Sequence, residues 1–224
     1  MQDRHRAVKD QLYANFARVA KALSSPKRLE IIDLLSQGER AVESLASEAA
    51  LSVGNASAHL KVLHAARLVD RRRDGQRILY RLASPEVFRL FRDLQGFAET
   101  RLAEVERLVR LYYDQPDALE AVSREELLRR MRDGDVVLVD VRPREEFLAG
   151  HVPGALNVPP DELESHLATL PADREIVAYC RGPYCLFSVE AVAALRARGY
   201  RARRLATGLP DWRAAGHPVA VGPT

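Results

Sequence analysis

The sequence predicts two domains in succession: an α+β domain of helices with one β-hairpin, followed by an α/β domain with a parallel sheet. Three observations lead to this prediction. Apolar residues recur at helical spacing through the first half, which a single hairpin-like stretch interrupts. The second half alternates near-continuous apolar runs with amphipathic segments, the pattern of buried parallel strands joined by helices. A polar linker at 114–117 separates the halves, so we predict domains at 1–113 and 114–224.

Capping and turn residues set the expected elements of the first half. Ser25 before Pro26 begins one helix, and Ser52 can cap another. Asp74-Gly75 between two strand-like stretches is a strong hairpin signal. The predicted helices cover 8–23, 26–35, 44–49, 53–66 and 85–113, and the predicted strands cover 69–73 and 76–82. A helix as long as 85–113 cannot bury its own apolar stripe, so we expect it to pack with the first helix in a homodimer.

The second half has a different rhythm. Its apolar runs at 136–141 and 175–179 predict buried strands, and 200–205 predicts a weaker one. Helices are expected over 124–131 and 189–197. Alternating strands and helices imply a small α/β domain.

Composition limits the classes of function. Residues 1–113 carry a net charge of +6 and residues 114–224 a net charge of −3, so only the first half is expected to meet a polyanion. The sequence has no apolar run of 18 residues and no secretory signal, so we expect a cytoplasmic protein without a membrane partner. Two cysteines are too few for a disulfide scaffold and point instead to chemistry, metal binding or chance.

The first half follows the plan of a winged helix-turn-helix DNA reader. The helix that starts after Ser52 would enter the major groove of double-stranded DNA, where small and polar side chains approach base edges. Arginines around the hairpin turn suit contacts with phosphates or the minor groove. The predicted DNA-binding residues are Ser52, Gly54, Asn55, Ser57, His59, Lys61, Arg71, Arg72, Arg73 and Arg77.

Residues 16–82 resemble the ArsR/SmtB family of dimeric winged-helix repressors. The resemblance is carried by Leu-Ser-Ser-Pro-Lys-Arg-Leu-Glu-Ile-Ile at 23–32, Leu-Ser at 51–52, Ser-Ala-His-Leu-Lys-Val-Leu at 57–63 and Leu-Val at 68–69. It implies a repressor that leaves its operator when an inducer binds.

The metal sites of that family are not matched here. The stretch 42–50 has no cysteine, and the long helix 85–113 has no histidine. His59 and His64 are five residues apart, which does not place them on one helical face. Zinc or arsenite would need thiolate or imidazole ligands, so we predict no metal site and no cofactor.

Residues 117–220 resemble a rhodanese (sulfurtransferase) domain. The matching stretches are Asp-Val-Arg-Pro-Arg-Glu-Glu-Phe at 140–147, Gly-His-Val-Pro-Gly-Ala at 150–155, Tyr-Cys-Arg-Gly-Pro-Tyr-Cys at 179–185 and Gly-Leu-Pro-Asp-Trp at 208–212. The resemblance implies that Cys180 holds sulfur as a persulfide. Backbone N–H groups at a helix start favour a thiolate there, and Arg181 adds positive charge, so we predict Cys180 as the nucleophile.

The loop also departs from relatives of similar fold. Phosphatases place an arginine six residues after the cysteine, where this chain has Leu186, so phosphatase chemistry is excluded. Many rhodaneses carry a cationic or hydroxyl residue at the sixth loop position, which is Cys185 here, so efficient thiosulfate turnover is in doubt. Cys185 could instead act as a resolving thiol that attacks a persulfide on Cys180. Gly182, Pro183 and Tyr184 complete the predicted loop, whereas Asp140, Arg142, Glu146 and His151 are expected to fix loops, with Arg142 nearest to the active one.

Three functional hypotheses stay open at this point. The first is a homodimeric repressor whose rhodanese-like domain senses reactive sulfur or thiol oxidants through Cys180, with or without a bridge to Cys185. The second is a DNA-tethered sulfurtransferase with a Cys180 persulfide intermediate, which turns over thiosulfate or 3-mercaptopyruvate. The third is a docking module for a persulfide-donating protein.

Overall fold

The structure, a computed structural model, describes residues 2–112, 121–167 and 170–223. The chain divides into two compact units, residues 1–94 and 95–224. The predicted linker at 114–117 lies outside the described residues, and the predicted domain boundary after residue 113 stays a prediction. No helix among the described residues is long and apolar enough to cross a membrane.

The first unit is a set of helices around a three-stranded antiparallel sheet in the order β1-β3-β2. Its elements are α1 (Gln2–Leu23), α2 (Pro26–Gln37), β1 (Arg40–Ala41), α3 (Val42–Glu48), α4 (Val53–Ala65), β2 (Val69–Asp74), β3 (Arg77–Leu82) and α5 (Pro85–Arg101), which runs past the end of the unit. Its core includes Ile31 and Ile32 of α2 and Leu60 and Leu63 of α4, all fully buried. This is the predicted winged helix-turn-helix fold.

Three local features differ from the sequence prediction. Asp74 pairs with Arg77, so the hairpin turn is Gly75-Gln76 rather than Asp74-Gly75, and Gly75 takes the left-handed conformation with φ of +60°. β1 was not predicted, because two residues are too few to show a period. The predicted helix 85–113 is interrupted at Leu102, and no residue type there explains the break; α6 (Ala103–Tyr112) follows it.

The second unit is a four-stranded parallel sheet in the order β5-β4-β6-β7, with an apolar cluster on each face. Its further elements are α7 (Arg124–Asp133), β4 (Val136–Asp140), α8 (Arg144–Ala149), β5 (Leu156–Asn157), α9 (Leu163–His166), β6 (Glu175–Tyr179), α10 (Leu186–Ala197), β7 (Ala202–Arg204) and α11 (Leu209–Ala214). The parallel sheet confirms the predicted α/β class.

The strand register places the chemistry of the second unit at one edge of the sheet. Asp140, the last residue of β4, pairs with Asn157 of β5 on one side and with Tyr179 of β6 on the other. The carboxyl ends of parallel strands meet at the same edge, which is where open α/β sheets bind ligands. Cys180 directly follows Tyr179 and therefore lies at this edge.

Candidate functional site

The cysteine loop, residues 180–185, connects the end of β6 to the start of α10. Cys185 is the N-cap residue of α10, and its N–H donates to the Gly182 carbonyl at 3.2 Å, which closes the loop into a turn. The Cys180 carbonyl accepts from Leu209 N–H at 3.4 Å. A strand end and a helix start thus fix the positions of both cysteines.

Cys180 and Cys185 are joined by a disulfide bond in the structure. Their Cα atoms are 6.2 Å apart, within the range that a disulfide spans without backbone movement. Cys180 is 2% exposed, whereas Cys185 is partly buried. With the sulfur atoms bonded to each other, neither cysteine carries a free thiol in the structure. The role of Cys180 as a nucleophile stays a prediction, and it requires that this bond be reduced.

The Arg181 side chain is held by a carboxylate of α8. Its guanidinium donates to Glu146, with Nε 3.0 Å from Oε1, and the Glu146 side chain is almost fully buried. Its carbon Cζ lies 5.9 Å from the ring centroid of Phe187 in α10. The positive charge predicted to assist Cys180 is therefore paired with the negative charge of Glu146. This pairing weakens the electrostatic stabilisation that Arg181 could give to a Cys180 thiolate. The role of Arg181 in the chemistry stays a prediction.

Glu146 belongs to a chain of buried charges that reaches the end of β4. Its Oε2 lies 3.9 Å from Nη1 of Arg142, and Arg142 Nη2 is 2.6 Å from Oδ2 of Asp140. Arg142 also donates to the Gly150 carbonyl at 2.7 Å. Burial lowers the pKa of Arg142, but the hydrogen bonds and charge of Asp140 outweigh that effect and keep the pKa above its ordinary value. The chain ties the cysteine loop to the strand that precedes α8.

Tyr179 is buried beside this network. Its hydroxyl accepts from the Val152 N–H at 3.0 Å, and burial raises the pKa of Tyr179 well above its ordinary value. The raised pKa favours the neutral phenol, so Tyr179 is poorly suited to act as a base toward Cys180. His151 is also buried, with Nδ1 2.9 Å from the Phe147 carbonyl and its ring stacked on Phe147. Both side chains hold the loops of the carboxyl edge in place.

The glycine at 208 is pressed against the cysteine loop. A Cβ at Gly208 would lie 2.1 Å from the Arg181 carbonyl oxygen and 2.6 Å from the Gly182 nitrogen. Both neighbours are backbone atoms, so neither can swing away. The start of α11 and the cysteine loop therefore fix each other's position, and only glycine fits at 208.

Glu146 was predicted to fix loops, but its pairing with Arg181 was not predicted. The sequence also did not predict the close packing of Gly208 against the loop, or the contact of Arg204, whose Nη1 donates to the Pro183 carbonyl at 3.3 Å. The signal for Gly208 was present in the Gly-Leu-Pro-Asp-Trp stretch. The other two contacts join residues 21 and 35 positions apart, which no local pattern reveals. Of the predicted loop residues, Gly182, Pro183 and Tyr184 are all partly buried in the turn.

The second candidate surface lies on α4 of the first unit. Ser52 is its N-cap residue, and the hydroxyl accepts from Asn55 N–H at 3.2 Å. Ala56, Leu60 and Leu63 are buried and fix the helix to its unit. The opposite face carries the predicted DNA-binding residues, of which Gly54, Asn55 and Lys61 are exposed and Ser57 and His59 half-buried. The helix therefore presents small and polar side chains to solvent, as major-groove reading requires.

The β2–β3 hairpin carries the predicted arginines. All four, Arg71, Arg72, Arg73 and Arg77, are exposed. Arg72 donates from Nε to both oxygens of Glu39 at 2.9 Å, and this hydrogen bond raises the pKa of Arg72. Arg73 Nε donates to the Gly75 carbonyl at 3.0 Å. Arg72 and Arg73 thus both make hydrogen bonds within the protein. These bonds would have to break before either Nε could contact DNA.

Among the residues that the structure describes, no three His, Cys, Asp or Glu side chains are grouped so that they could hold a metal ion. His59 and His64 both lie on α4, and His64 is exposed.

Two protein families match this chain in the expected order. The family described as "Bacterial regulatory protein, arsR family" matches residues 25–71, and the rhodanese-like domain family matches residues 123–215. The first range spans α2 to β2, and the second contains the cysteine loop. The fold and the loop together define a winged helix-turn-helix transcriptional regulator with an attached rhodanese-like domain.

A full-length relative shows the family. The HTH-type transcriptional regulator Rv0324 of Mycobacterium tuberculosis is 47% identical over 220 residues, which cover 98% of this chain and 95% of the relative. The chain belongs to the ArsR family of transcriptional regulators, among those that carry a C-terminal rhodanese-like domain.

Other similar proteins each match only one half of this chain. A sulfurtransferase of Allochromatium vinosum is 35% identical over 102 residues, 45% of this chain and 94% of the relative. The solution structure of a homodimeric winged helix-turn-helix DNA-binding domain from Mycobacterium bovis is 46% identical, covers 42% of this chain and 87% of that one, and has a TM-score of 0.41.

Proposed function

We propose that this regulator is a homodimeric repressor of operator DNA that senses reactive sulfur through Cys180 and Cys185. The observation that carries the proposal is the Cys180–Cys185 disulfide, whose Cα atoms are 6.2 Å apart in a loop that rhodanese-like domains use for sulfur chemistry. The disulfide form and the dithiol form of the loop are the two candidate states of the sensor. In the cytoplasm, a reducing compartment, the dithiol would be the resting state.

The sensing reaction has two steps. The Cys180 thiolate attacks the outer sulfur of an organic persulfide RS–SH; a Cys180 persulfide forms and RS⁻ leaves. The Cys185 thiolate then attacks the inner sulfur of that persulfide; the disulfide forms and HS⁻ leaves. The two cysteines lose two electrons, which the sulfane sulfur takes up as sulfide, so no further oxidant is needed. The donor is a small persulfide or a persulfide-bearing protein.

Operator binding is proposed for α4 and the β2–β3 hairpin. The support is the exposed row of Gly54, Asn55 and Lys61 on α4 and the net charge of +6 over residues 1–113. Arg71 and Arg77 are the hairpin cations best suited to phosphate contact, because their guanidinium groups are exposed without a side-chain partner among the described residues.

The proposed dimer would cover apolar side chains that are exposed in the single chain. On α1, Val8, Leu12 and Phe16 are each more than half exposed. On α5, Leu94 and Phe97 are 39% and 64% exposed. A regulator that binds two half-sites through a twofold dimer is the arrangement expected for this fold.

The Cys185→Ser variant separates the two steps of the sensing reaction. Without the resolving thiol, we expect the Cys180 persulfide to accumulate when the protein is treated with an organic persulfide and the reaction is stopped without a reductant. Mass spectrometry should then find one added sulfur, 32 mass units, in Cys185→Ser but a loss of two hydrogens in the wild type. Cys180→Ser serves as the control and should show neither change; an equal mass gain on Cys185 in that control would contradict the assignment of Cys180 as the nucleophile.

A DNA-tethered sulfurtransferase is the second candidate function. It is supported by the sulfurtransferase of Allochromatium vinosum, which matches the second half over 94% of its own length. Steady turnover of thiosulfate or 3-mercaptopyruvate with cyanide or a thiol acceptor would establish it. We favour the sensor because Cys185, which follows Cys180 at the sixth loop position, would convert the persulfide intermediate into a disulfide instead of passing sulfur onward.

A further inference from the structure

A cavity of about 380 Å³ lies at the carboxyl edge of the parallel sheet, separate from the cysteine loop. Arg144 at the start of α8, Asn157 at the end of β5 and His166 of α9 form its polar wall, and no residue of 180–185 lines it. Phe147, Leu148 and Leu156 form much of its apolar wall. A mostly apolar cavity of this size with a few polar groups is the usual form of a small-molecule site.

Arg144 supplies a cation at the wall. Its side chain is exposed and makes no ion pair or hydrogen bond with any residue that the structure describes. The neighbouring arginine Arg142 is, by contrast, buried against Asp140. A guanidinium held beside apolar side chains favours an anion with an apolar body, and a carboxylate fits its two parallel N–H donors.

Asn157 supplies an acceptor at the same cavity. Its Nδ2 donates to the carbonyls of Asp140 at 3.1 Å and Arg142 at 2.9 Å. Its Oδ1 is then a buried acceptor with no hydrogen-bond partner among the described residues. Buried acceptors are nearly always paired, so a donor from outside the protein fits here.

We propose that this cavity binds a small organic acid that carries an N–H or O–H donor and an apolar side chain. The carboxylate pairs with Arg144, the donor reaches Asn157 after a small rearrangement of the amide, and the apolar part contacts Phe147 and Leu148. N-acylated apolar amino acids have this combination of groups.

The site is placed to influence the cysteine loop through α8. This helix has six residues, and it carries both Phe147, which lines the cavity, and Glu146, which holds Arg181 of the loop. A ligand that moves α8 therefore moves the partner of Arg181. Coupling between two sites is reciprocal, so the affinity for the acid should change by the same factor as the dithiol–disulfide equilibrium. This second part rests on the proposed function, whereas binding does not.

Calorimetric titration of the full-length protein tests the site. The probes are N-acetyl-L-phenylalanine, N-acetyl-L-leucine and N-acetyl-L-methionine, each compared with its methyl ester, which lacks the charge. We expect saturable binding of at least one acid, with at least tenfold weaker binding of its ester. Arg144→Gln should weaken binding of the acid at least tenfold, and the matched control Arg132→Gln, at an exposed arginine of α7, should not. No binding of any acid, or equal binding of acid and ester, would overturn the site.

The same titration in the presence of a phosphine reductant tests the coupling. We expect the affinity of the acid to differ at least threefold between the disulfide and dithiol forms. Equal affinities would overturn the coupling through α8. The effect of persulfides on DNA binding is measured in a separate experiment, so a failure of the coupling can be told apart from a failure of the proposed function.

Discussion

Replacing Asp140 with asparagine is expected to lower the free energy of unfolding of the second unit by about 3–5 kcal/mol. Asp140 is fully buried, and its two carboxylate oxygens accept from the backbone N–H and guanidinium of Arg142, with distances of 2.6–3.2 Å. The asparagine keeps the shape but leaves the Arg142 charge buried without its main counter-charge. An amide group would also turn a donor toward the guanidinium.

Fluorescence-monitored urea unfolding measures this loss in the full chain. Trp212 is the one tryptophan of the sequence and is 2% exposed in the apolar cluster of the second unit, so its emission reports on that unit. Glu145→Gln is the matched control, because Glu145 is an exposed acid on neighbouring α8 and its change should stay within about 0.5 kcal/mol. An Asp140→Asn protein as stable as Glu145→Gln would show that the buried pair does not hold the second unit together.

Gly208→Ala is expected to displace the cysteine loop. Its Cβ would lie 2.1 Å from the Arg181 carbonyl oxygen, 2.3 Å from the Arg181 carbonyl carbon and 2.6 Å from the Gly182 nitrogen. The overlap with backbone cannot be relieved by a side-chain rotation, so the loop or the start of α11 has to move. We expect a loss of stability of about 1–3 kcal/mol or more and at least tenfold slower formation of the Cys180–Cys185 disulfide.

Gly182→Ala is the control for that prediction. It adds the same methyl group to the cysteine loop itself, but nothing lies within 4 Å of the added Cβ. Disulfide formation can be followed in both variants by thiol alkylation and mass spectrometry after addition of an organic persulfide. Equal rates in Gly208→Ala and the wild type would mean that the position of the loop does not depend on the contact with Gly208.

Periodicity in the sequence was sufficient for most of the fold. The helices of the first half and the buried strands at 136–140 and 175–179 follow from apolar spacing, because burying a face imposes its period on the chain. Ser52 was predicted as a helix cap, and its hydroxyl does accept from Asn55 N–H. What the period could not predict was local: the two-residue strands β1 and β5, the short helices α8, α9 and α11, and the interruption at Leu102.

The environment of the cysteine loop depended on tertiary contacts. The sequence placed Cys180 and Cys185 at a strand end and a helix start, but their Cα separation of 6.2 Å depends on how the turn at 182–185 folds. Arg181 was predicted to add positive charge beside Cys180. Its pairing with Glu146 depends on the packing of α8 beside the loop, which the sequence does not show. Contacts between distant segments leave no periodic trace in a single sequence.

Binding of the protein to DNA of its own promoter region, before and after an organic persulfide donor, tests the central claim most directly. Fluorescence anisotropy at one stated salt concentration would compare the wild type, Cys180→Ser and Cys185→Ser, since salt alone changes DNA affinity strongly. We predict at least a tenfold loss of affinity in the wild type, about 1.4 kcal/mol, and none in Cys180→Ser. The Cys185→Ser curve would then say whether the persulfide suffices or the bridge is needed. Equal loss of DNA binding in wild type and Cys180→Ser, or no loss in either, would contradict sulfur sensing through this loop.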